Sequence, residues 1–263
     1  MSTVIVAAKS RITAPSILGS LACYYDFTDA ATMTQSTAGT GAAPGNGDPV
    51  GFVNDQSGNG YHIAAASNAE RPIYQTGVNN GQAATLFDGI NDSLARLATS
   101  NVSANRSGLT IYACAKHTVA PTTRESYLLF TTGANTTARV EQGASLASAD
   151  RLRIVARRAN ADTPTTINGT IAVGTGMTIG TAVVNYAADT MVLYTNGEQA
   201  ATGTPPGTSG ASTENTNGRI YVGGAGAGFI NAHLFVVIAF WAAHDAGQRR
   251  MVHDWIMRKC RIS

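Results

Sequence analysis

Short apolar and β-branched runs, each bounded by glycine, proline, asparagine or serine, recur along most of the chain. Runs of this length and composition are typical of buried β-strands. Eight of them predict strands, at 21–27, 84–88, 109–117, 126–132, 151–158, 191–197, 219–224 and 233–241. Many short strands separated by turn residues, with no repeat at a solenoid or propeller period, predict a β-sandwich.

The C-terminal segment, 244–263, is the one stretch with convincing helical periodicity. Its apolar residues fall on one face of a helix and are Met251, Val252, Trp255, Ile256 and Cys260. Asp245 or His244 is placed to cap the start of that helix. The basic cluster of the chain also lies here, and we interpret it as favourable charge in the last helical turns: Arg249, Arg250, Arg258, Lys259 and Arg261.

Three of the predicted strands have a more specific pattern. The run 109–117 alternates with period two, which predicts a half-buried strand. Asn196-Gly197 follows another strand and predicts a tight hairpin. The run 151–158 places apolar residues on one face and Arg151, Arg153 and Arg157 on the other. We interpret the arginine face as solvated, with a grip on an anionic partner as the alternative.

Composition narrows the choice of partners. Charged residues make up 13% of the chain, whereas an average globular protein has about 25%. The net charge is +2. A charge-poor surface packs readily against copies of itself or other proteins, which favours an assembly component. The basic residues form no stripe, so no nucleic-acid partner is predicted. The apolar run 234–243 is about half a membrane span, so no membrane partner is predicted either.

The ends of the chain and its cysteines complete the domain plan. Residues 1–18 contain Pro15 and lack strong periodicity, so we predict an N-terminal arm followed by one domain over 19–263. The start has no secretion signal, which predicts synthesis in a cytoplasm. Cys23 and Cys114 lie in strand-like runs and are predicted to be buried, whereas Cys260, near the C-terminus, is the one cysteine that could be exposed.

The first third of the chain carries a recognisable pattern, D-x-S-G-N-G-x-H, then R-P-x-Y, then F-D-G-x-x-D-x-L. The matching residues are Asp55, Ser57, Gly58, Asn59, Gly60, His62, Arg71, Pro72, Tyr74, Phe87, Asp88, Gly89, Asp92 and Leu94. This pattern resembles laminin-G-like domains of the concanavalin A-like superfamily. The resemblance implies an all-β jelly-roll sandwich of two antiparallel sheets with a short C-terminal α-helix. It covers residues 20–95 well and 190–260 loosely.

Laminin-G-like domains with a charge-poor composition look like tailed-bacteriophage virion proteins. That likeness implies a non-enzymatic structural protein displayed on a capsid, neck, collar or tail, located in the virion. Its partners would be other virion proteins and copies of itself, in a homo-oligomer of closed symmetry. The alternative function is a carbohydrate-binding module that recognises host surface polysaccharide.

The acidic residues and the histidines are the candidates for a catalytic site. A retaining glycosidase needs two carboxylates about 5–5.5 Å apart. The glutamates are isolated from other acids within a strand and are Glu70, Glu125, Glu141, Glu198 and Glu214. The histidines at 117, 233, 244 and 253 have no nucleophile in a G-x-S-x-G motif. The sequence therefore predicts no enzyme and no cofactor, and we assign no catalytic or cofactor-binding residue.

Two further sites were considered. Asp88, Asn91 and Asp92 either hold a calcium ion or cap a turn, and we favour caps, so no metal site is assigned. A sugar platform would draw on Tyr61, Tyr74 and Tyr221, whereas Trp241 and Trp255 are predicted to be core. The glycine-rich run 223–228 lacks a phosphate-loop lysine and predicts a tight bend beside a packed strand.

Overall fold

The computed structural model describes residues 13–100, 104–131, 138–144, 150–159, 161–207, 210–212, 218–226 and 228–263. The strands in chain order are β1 (Leu21–Asp26), β2 (Met33–Thr34), β3 (Phe52–Val53), β4 (Ile63–Ala64), β5 (Ile73–Asn79), β6 (Gln82–Asp88), β7 (Leu94–Ser100), β8 (Gly108–His117), β9 (Glu125–Thr131), β10 (Ala138–Ala144), β11 (Arg151–Ala156), β12 (Thr165–Ala172), β13 (Met177–Asn185), β14 (Thr190–Thr195), β15 (Glu198–Gly203), β16 (Gly218–Val222) and β17 (Asn231–Phe240). One α-helix, α1 (Ala246–Lys259), follows them.

These strands form two antiparallel sheets that pack face to face. Sheet A has the order β15-β14-β13-β8-β17-β6-β5, and β1 also pairs with β17. Sheet B has the order β12-β11-β10-β9-β16-β7-β4-β3-β2. Alternate side chains of both sheets meet in one large apolar cluster between them. The sandwich of two antiparallel sheets with a C-terminal helix, predicted from the sequence, is confirmed.

Sheet A is covered on its outer face as well. Helix α1 packs there, with Val252, Trp255 and Ile256 in a second apolar cluster that includes Tyr112 and Phe240 of the sheet. Because both faces of β8 are covered, nearly every residue of that strand is buried. The prediction of a half-buried strand at 109–117 is therefore wrong. One set of alternate side chains, which includes Leu109 and Ile111, packs in the core between the sheets, and the other set packs against α1.

The two ends of the described chain meet on this outer face. A short 3-10 turn, Pro15–Leu18, precedes β1, and the indole nitrogen of Trp255 donates a hydrogen bond to the carbonyl of Thr13 at 3.1 Å. Residues 1–12 of the predicted arm lie outside the described residues. The arm boundary at residue 18 stays a prediction.

The turns at two sequence motifs have well-defined backbone angles and hydrogen bonds. Asn196 and Gly197 have φ values of 51° and 84° and join β14 to β15, as the predicted hairpin requires. In the D-x-S-G-N-G motif, Asp55 accepts hydrogen bonds from the backbone amides of Tyr24, Ser57 and Tyr61 at 2.9–3.0 Å. The motif therefore fastens its loop to β1.

All three cysteines are free and buried. Cys260, whose exposure the sequence left open, is buried because the end of α1 places it in the cluster between the helix and sheet A. Burial raises the pKa of the Cys23 and Cys114 thiols well above the ordinary value. No helix in the described part of the chain is long and apolar enough to cross a membrane.

The start of α1 offers a test of the cap. Asp245 accepts a hydrogen bond from the Gln248 amide at 2.8 Å, and the Gln248 side chain accepts one from the Asp245 amide at 3.0 Å. We expect Asp245→Ala to lower the free energy of unfolding by about 0.5–2 kcal/mol, because the Gln248 amide loses its side-chain partner. Urea unfolding measures this. An unchanged midpoint would show that α1 is held by packing alone.

Candidate functional site

The outer face of β11 carries a buried ion cluster instead of the predicted solvated arginines. Arg153 is mostly buried and contacts the carboxylate of Glu141 on β10 at 2.8 Å. Arg124 donates two hydrogen bonds to the same carboxylate, at 2.6 and 3.1 Å, and Ser126 donates a third at 2.6 Å. Arg157 is also buried. The solvated interpretation is wrong for Arg153, which pairs with Glu141 on the neighbouring strand, and for Arg157, whereas Arg151 is half-buried.

This environment fixes the charge of Glu141, which is completely buried. Burial alone raises the pKa of the carboxyl group. The hydrogen bonds from Arg124 and Ser126 and the charges of Arg124 and Arg153 outweigh that effect and hold the pKa below its ordinary value. An ionised carboxylate with no exposed surface is unsuited to general acid catalysis.

Glu125 is also buried and lies beside a polar partner. It lies 3.2 Å from Nδ1 of His117, and Nε2 of that histidine is 2.6 Å from the hydroxyl of Tyr127. All three residues are at most 4% exposed. A substrate therefore has no access to this chain of polar groups, and its position inside the sandwich indicates a structural role.

The turn after β6 uses its acidic residues as caps, as predicted. Asp88 accepts hydrogen bonds from the amides of Ile90 and Asn91 at 2.8 and 3.3 Å. Asp92 accepts one from the Asp88 amide at 2.9 Å. Among the described residues, no group of three or more histidine, cysteine, aspartate or glutamate side chains is arranged to hold a metal ion.

Asp92 supplies a pH-dependent test. Burial raises its pKa to about 6, helped by the charge of Asp88 and opposed by the backbone hydrogen bond. Because the folded state binds the proton more tightly than the unfolded state, Asp92 lowers stability as pH rises from about 4 to about 6. Asp92→Asn should therefore gain stability relative to the parent protein over this range, by up to about 3 kcal/mol.

The Asp92→Asn comparison must be a difference between two proteins measured at each pH. Burial lowers the pKa of His244 to about 4, so His244 makes the protein more stable as pH rises through the same range. Urea unfolding at pH 4, 5, 6 and 7 gives the difference curve. A flat curve would show that the Asp92 carboxyl titrates alike in the folded and unfolded states.

A groove of about 370 Å³ opens beside that turn. Its walls come from the loop before β5, the turn between β6 and β7, strand β16, and the bend after β16. The lining residues are Ser67, Ala69, Glu70, Asn91, Ser93, Tyr221, Ala225, Gly226 and Phe229. Tyr221 and Ala225 belong to a small apolar cluster on the outer face of sheet B. The groove therefore lies on the side of sheet B that faces away from the sandwich core.

Some polar side chains of the groove already form hydrogen bonds within the protein, and others do not. Ser93 donates its hydroxyl to the Gly224 carbonyl at 2.7 Å, and Ser67 donates to Oε1 of Glu70 at 3.1 Å. Within the described part of the chain, Oε2 of Glu70 and the side-chain amide of Asn91 have no partner. The groove thus offers one free carboxylate oxygen and one free amide beside the rings of Tyr221 and Phe229.

Of the three tyrosines considered for a sugar platform, Tyr221 alone lines this groove. Tyr74 is buried and donates to the Thr28 carbonyl at 3.2 Å. The guanidinium group of Arg96 lies over the ring of Tyr61, 5.0 Å from its centroid.

The two predicted core tryptophans differ in their surroundings. Trp255, on α1, is buried between the helix and sheet A, as predicted. Trp241 is half-buried at the margin of the main core, beneath the guanidinium group of Arg106.

Glycines shape the end of the groove. Gly223 and Gly224 have φ values of 90° and 133°, and a Cβ at Gly223 would lie 2.3 Å from the ring of Phe87. The tight bend predicted for 223–228 is confirmed for the described residues of that run. The sequence did not indicate Phe229, Ser67 or Glu70 as site residues, because they lie in two loops that are far apart in the chain.

Comparison with known proteins gives the fold alone. No family model and no curated protein matches the sequence. Among solved structures, the binding domain of botulinum neurotoxin DC in complex with SialylT matches with a TM-score of 0.59 at 13% identity, over 92% of this chain and 52% of that chain. The binding domain of Paraclostridial Mosquitocidal Protein 1 matches with a TM-score of 0.54 at 11% identity, over 90% and 52%.

A third similar structure is an enzyme. Trypanosoma rangeli sialidase in complex with the inhibitor DANA has a TM-score of 0.55 at 10% identity, over 88% of this chain and 32% of that chain. What the chain shares with all three is a β-sandwich. This chain spans about half the length of the two binding domains. The ligands of those proteins therefore do not establish what this chain binds.

Proposed function

We propose that the chain is a non-enzymatic carbohydrate-binding module whose site is the groove beside Tyr221. The observation that carries the proposal is the pairing of two aromatic rings with a free carboxylate oxygen and a free amide in one groove. Aromatic rings bind apolar surface, and a few well-placed polar groups fix orientation. A sugar ring offers both an apolar C–H face and hydroxyl groups that donate to a carboxylate or pair with an amide.

Binding without hydrolysis fits the acidic groups of the described chain. Glu70 is the one carboxylate among the described residues that line the groove. Glu125 and Glu141 are buried and engaged with His117 and with two arginines. A two-carboxylate mechanism therefore has no accessible pair in this groove. The fold likeness to toxin binding domains, one of them in complex with SialylT, is in keeping with a glycan ligand.

The test begins with a glycan array probed with the intact chain, followed by calorimetric titration of each glycan retained. We expect Asn91→Ala and Phe229→Ala to weaken binding about tenfold or more, because each removes a direct contact. Ile90→Ala is the matched control, since Ile90 is 73% exposed next to the groove and does not line it. No retained glycan, or a glycan bound by both groove variants as tightly as by the parent protein, would overturn the proposal.

We propose further that this module is displayed on a bacteriophage particle, as a capsid, collar or tail component. The support is the laminin-G-like pattern in residues 20–95 and the 13% content of charged residues. Light scattering of the chain with and without residues 1–18 tests the assembly part of this role. A defined oligomer that truncation dissociates is expected, and a monomer in both cases would count against it.

A further inference from the structure

A second cavity, of about 270 Å³, lies on the opposite side of the sandwich from the groove. It is enclosed by β13 and β14 of sheet A, the hairpin turn between β14 and β15, and the first half of α1. The lining residues are Thr181, Tyr194, Gly197, Ala246, Arg249, Arg250 and His253. The cavity shares no residue with the groove, so the inference drawn from it is independent of the proposed function.

The charges around this cavity are one-sided. Two arginines and a histidine line it, and no carboxylate is among its described lining residues. Asp245 is directed elsewhere, because its carboxylate accepts the Gln248 amide at the helix start. The lining therefore carries two positive charges with no neutralising group inside the cavity, and such a site attracts an anion.

Arg249 is held in place before any ligand arrives. Its guanidinium group lies over the ring of Tyr194, 4.4 Å from the centroid, and donates a hydrogen bond to the His244 carbonyl at 2.8 Å. A guanidinium group has five N–H donors, so further donors are left for a ligand. Arg250, one residue on, is exposed and free to move toward a bound group.

His253 gives a second, independent indication. Its Nε2 atom is buried and has no hydrogen-bond partner among the described residues. A Cβ on Gly197 would lie 3.5 Å from that atom, so the absence of a side chain at Gly197 leaves space beside it. An unpaired buried nitrogen costs free energy unless a water or a ligand pairs with it.

From this geometry we propose that the cavity binds a small molecule bearing one oxyanion group, held by Arg249 and Arg250 and hydrogen-bonded to Nε2 of His253. Two guanidinium groups on one side match the paired oxygens of a carboxylate or a phosphate. The volume is slightly below the usual range of about 300–1,000 Å³ for ligand pockets. It therefore suits a ligand of about monosaccharide size, with Tyr194 and Ala246 contacting its uncharged part.

Calorimetric titration with glucuronate, glucose 6-phosphate and glucose separates the possible sources of the oxyanion. Binding of glucuronate alone assigns a carboxylate ligand, and binding of glucose 6-phosphate alone assigns a phosphate ligand. We expect glucose, the neutral analogue, to bind at least tenfold more weakly than the anion that is bound. Equal binding of glucose, or no binding of either anion, overturns the proposal.

Variants then locate the site. Arg250→Gln should weaken anion binding at least tenfold, whereas Arg258→Gln, the same change at the other end of α1, should leave it unchanged. His253→Leu should lose binding while the melting temperature stays the same or rises, because an unpaired buried nitrogen is removed. Phe229→Ala in the groove should have no effect. Retained binding in Arg250→Gln and His253→Leu together would overturn the assignment.

Discussion

Replacing Glu141 with alanine is expected to lower the free energy of unfolding by about 3–5 kcal/mol. The carboxylate is fully buried and pairs with Arg124 and Arg153, so its removal leaves two guanidinium groups, one of them mostly buried, without a counter-charge. Glu198→Ala, at an exposed position on β15, should change stability by no more than about 0.5 kcal/mol. Urea unfolding at pH 7 compares the two variants with the parent protein.

The same variant has a pH signature. The pKa of Glu141 in the folded protein is below its unfolded value, so its contribution to stability is present above the unfolded pKa and is lost as pH falls through the folded one. The stability difference between the parent protein and Glu141→Ala should therefore shrink below about pH 4. A small, pH-independent difference would show that the ion cluster contributes little beyond packing.

Replacing Gly223 with alanine is expected to cost about 2–4 kcal/mol. The position has a φ of 90°, which strains any residue with a Cβ, and that Cβ would lie 2.3 Å from the buried ring of Phe87. Gly174→Ala is the matched control, because Gly174 also has a positive φ, of 59°, but nothing lies within 4 Å of the added atom. The control should cost about 1 kcal/mol.

A double variant separates the two contributions to the cost of Gly223→Ala, the steric clash with Phe87 and the backbone strain. Phe87→Leu removes ring atoms that an alanine at position 223 would meet, so Gly223→Ala should cost less in the Phe87→Leu background than in the parent protein. Equal costs in the two backgrounds would assign the whole loss to backbone strain. Thermal and urea unfolding of the four proteins give the coupling.

Sequence reasoning succeeded where the signal is local. The strand runs, the Asn196-Gly197 hairpin and the Asp245 cap each depend on a few adjacent residues, and all are confirmed. Short strands such as β2, β3 and β4 were not predicted, because two residues carry no periodicity and the larger sheet stabilises them. The arginine face of β11 was misjudged because its partner Glu141 reaches it only through sheet pairing.

The groove and the cavity could not be predicted from the sequence, because each is formed by residues that are far apart in the chain. Tyr221 and Asn91 were considered separately, for a sugar and for calcium, yet the fold places them in one groove with Phe229. In α1, Arg249 and Arg250 were interpreted as helix-end charge, although they lie in its first half beside Tyr194. Which loops converge depends on strand order, and strand order is a property of the whole chain.

Among the described residues, a helix covers the outer face of sheet A alone, so the two outer faces of the sandwich differ. The backbone around Thr13 and all of α1 lie against sheet A, while the groove opens beyond sheet B. A tag, linker or carrier joined near either of those segments would therefore attach on the side of sheet A and leave the groove facing outward. Immobilising the protein by its C-terminal helix should present every copy with its groove toward the solution.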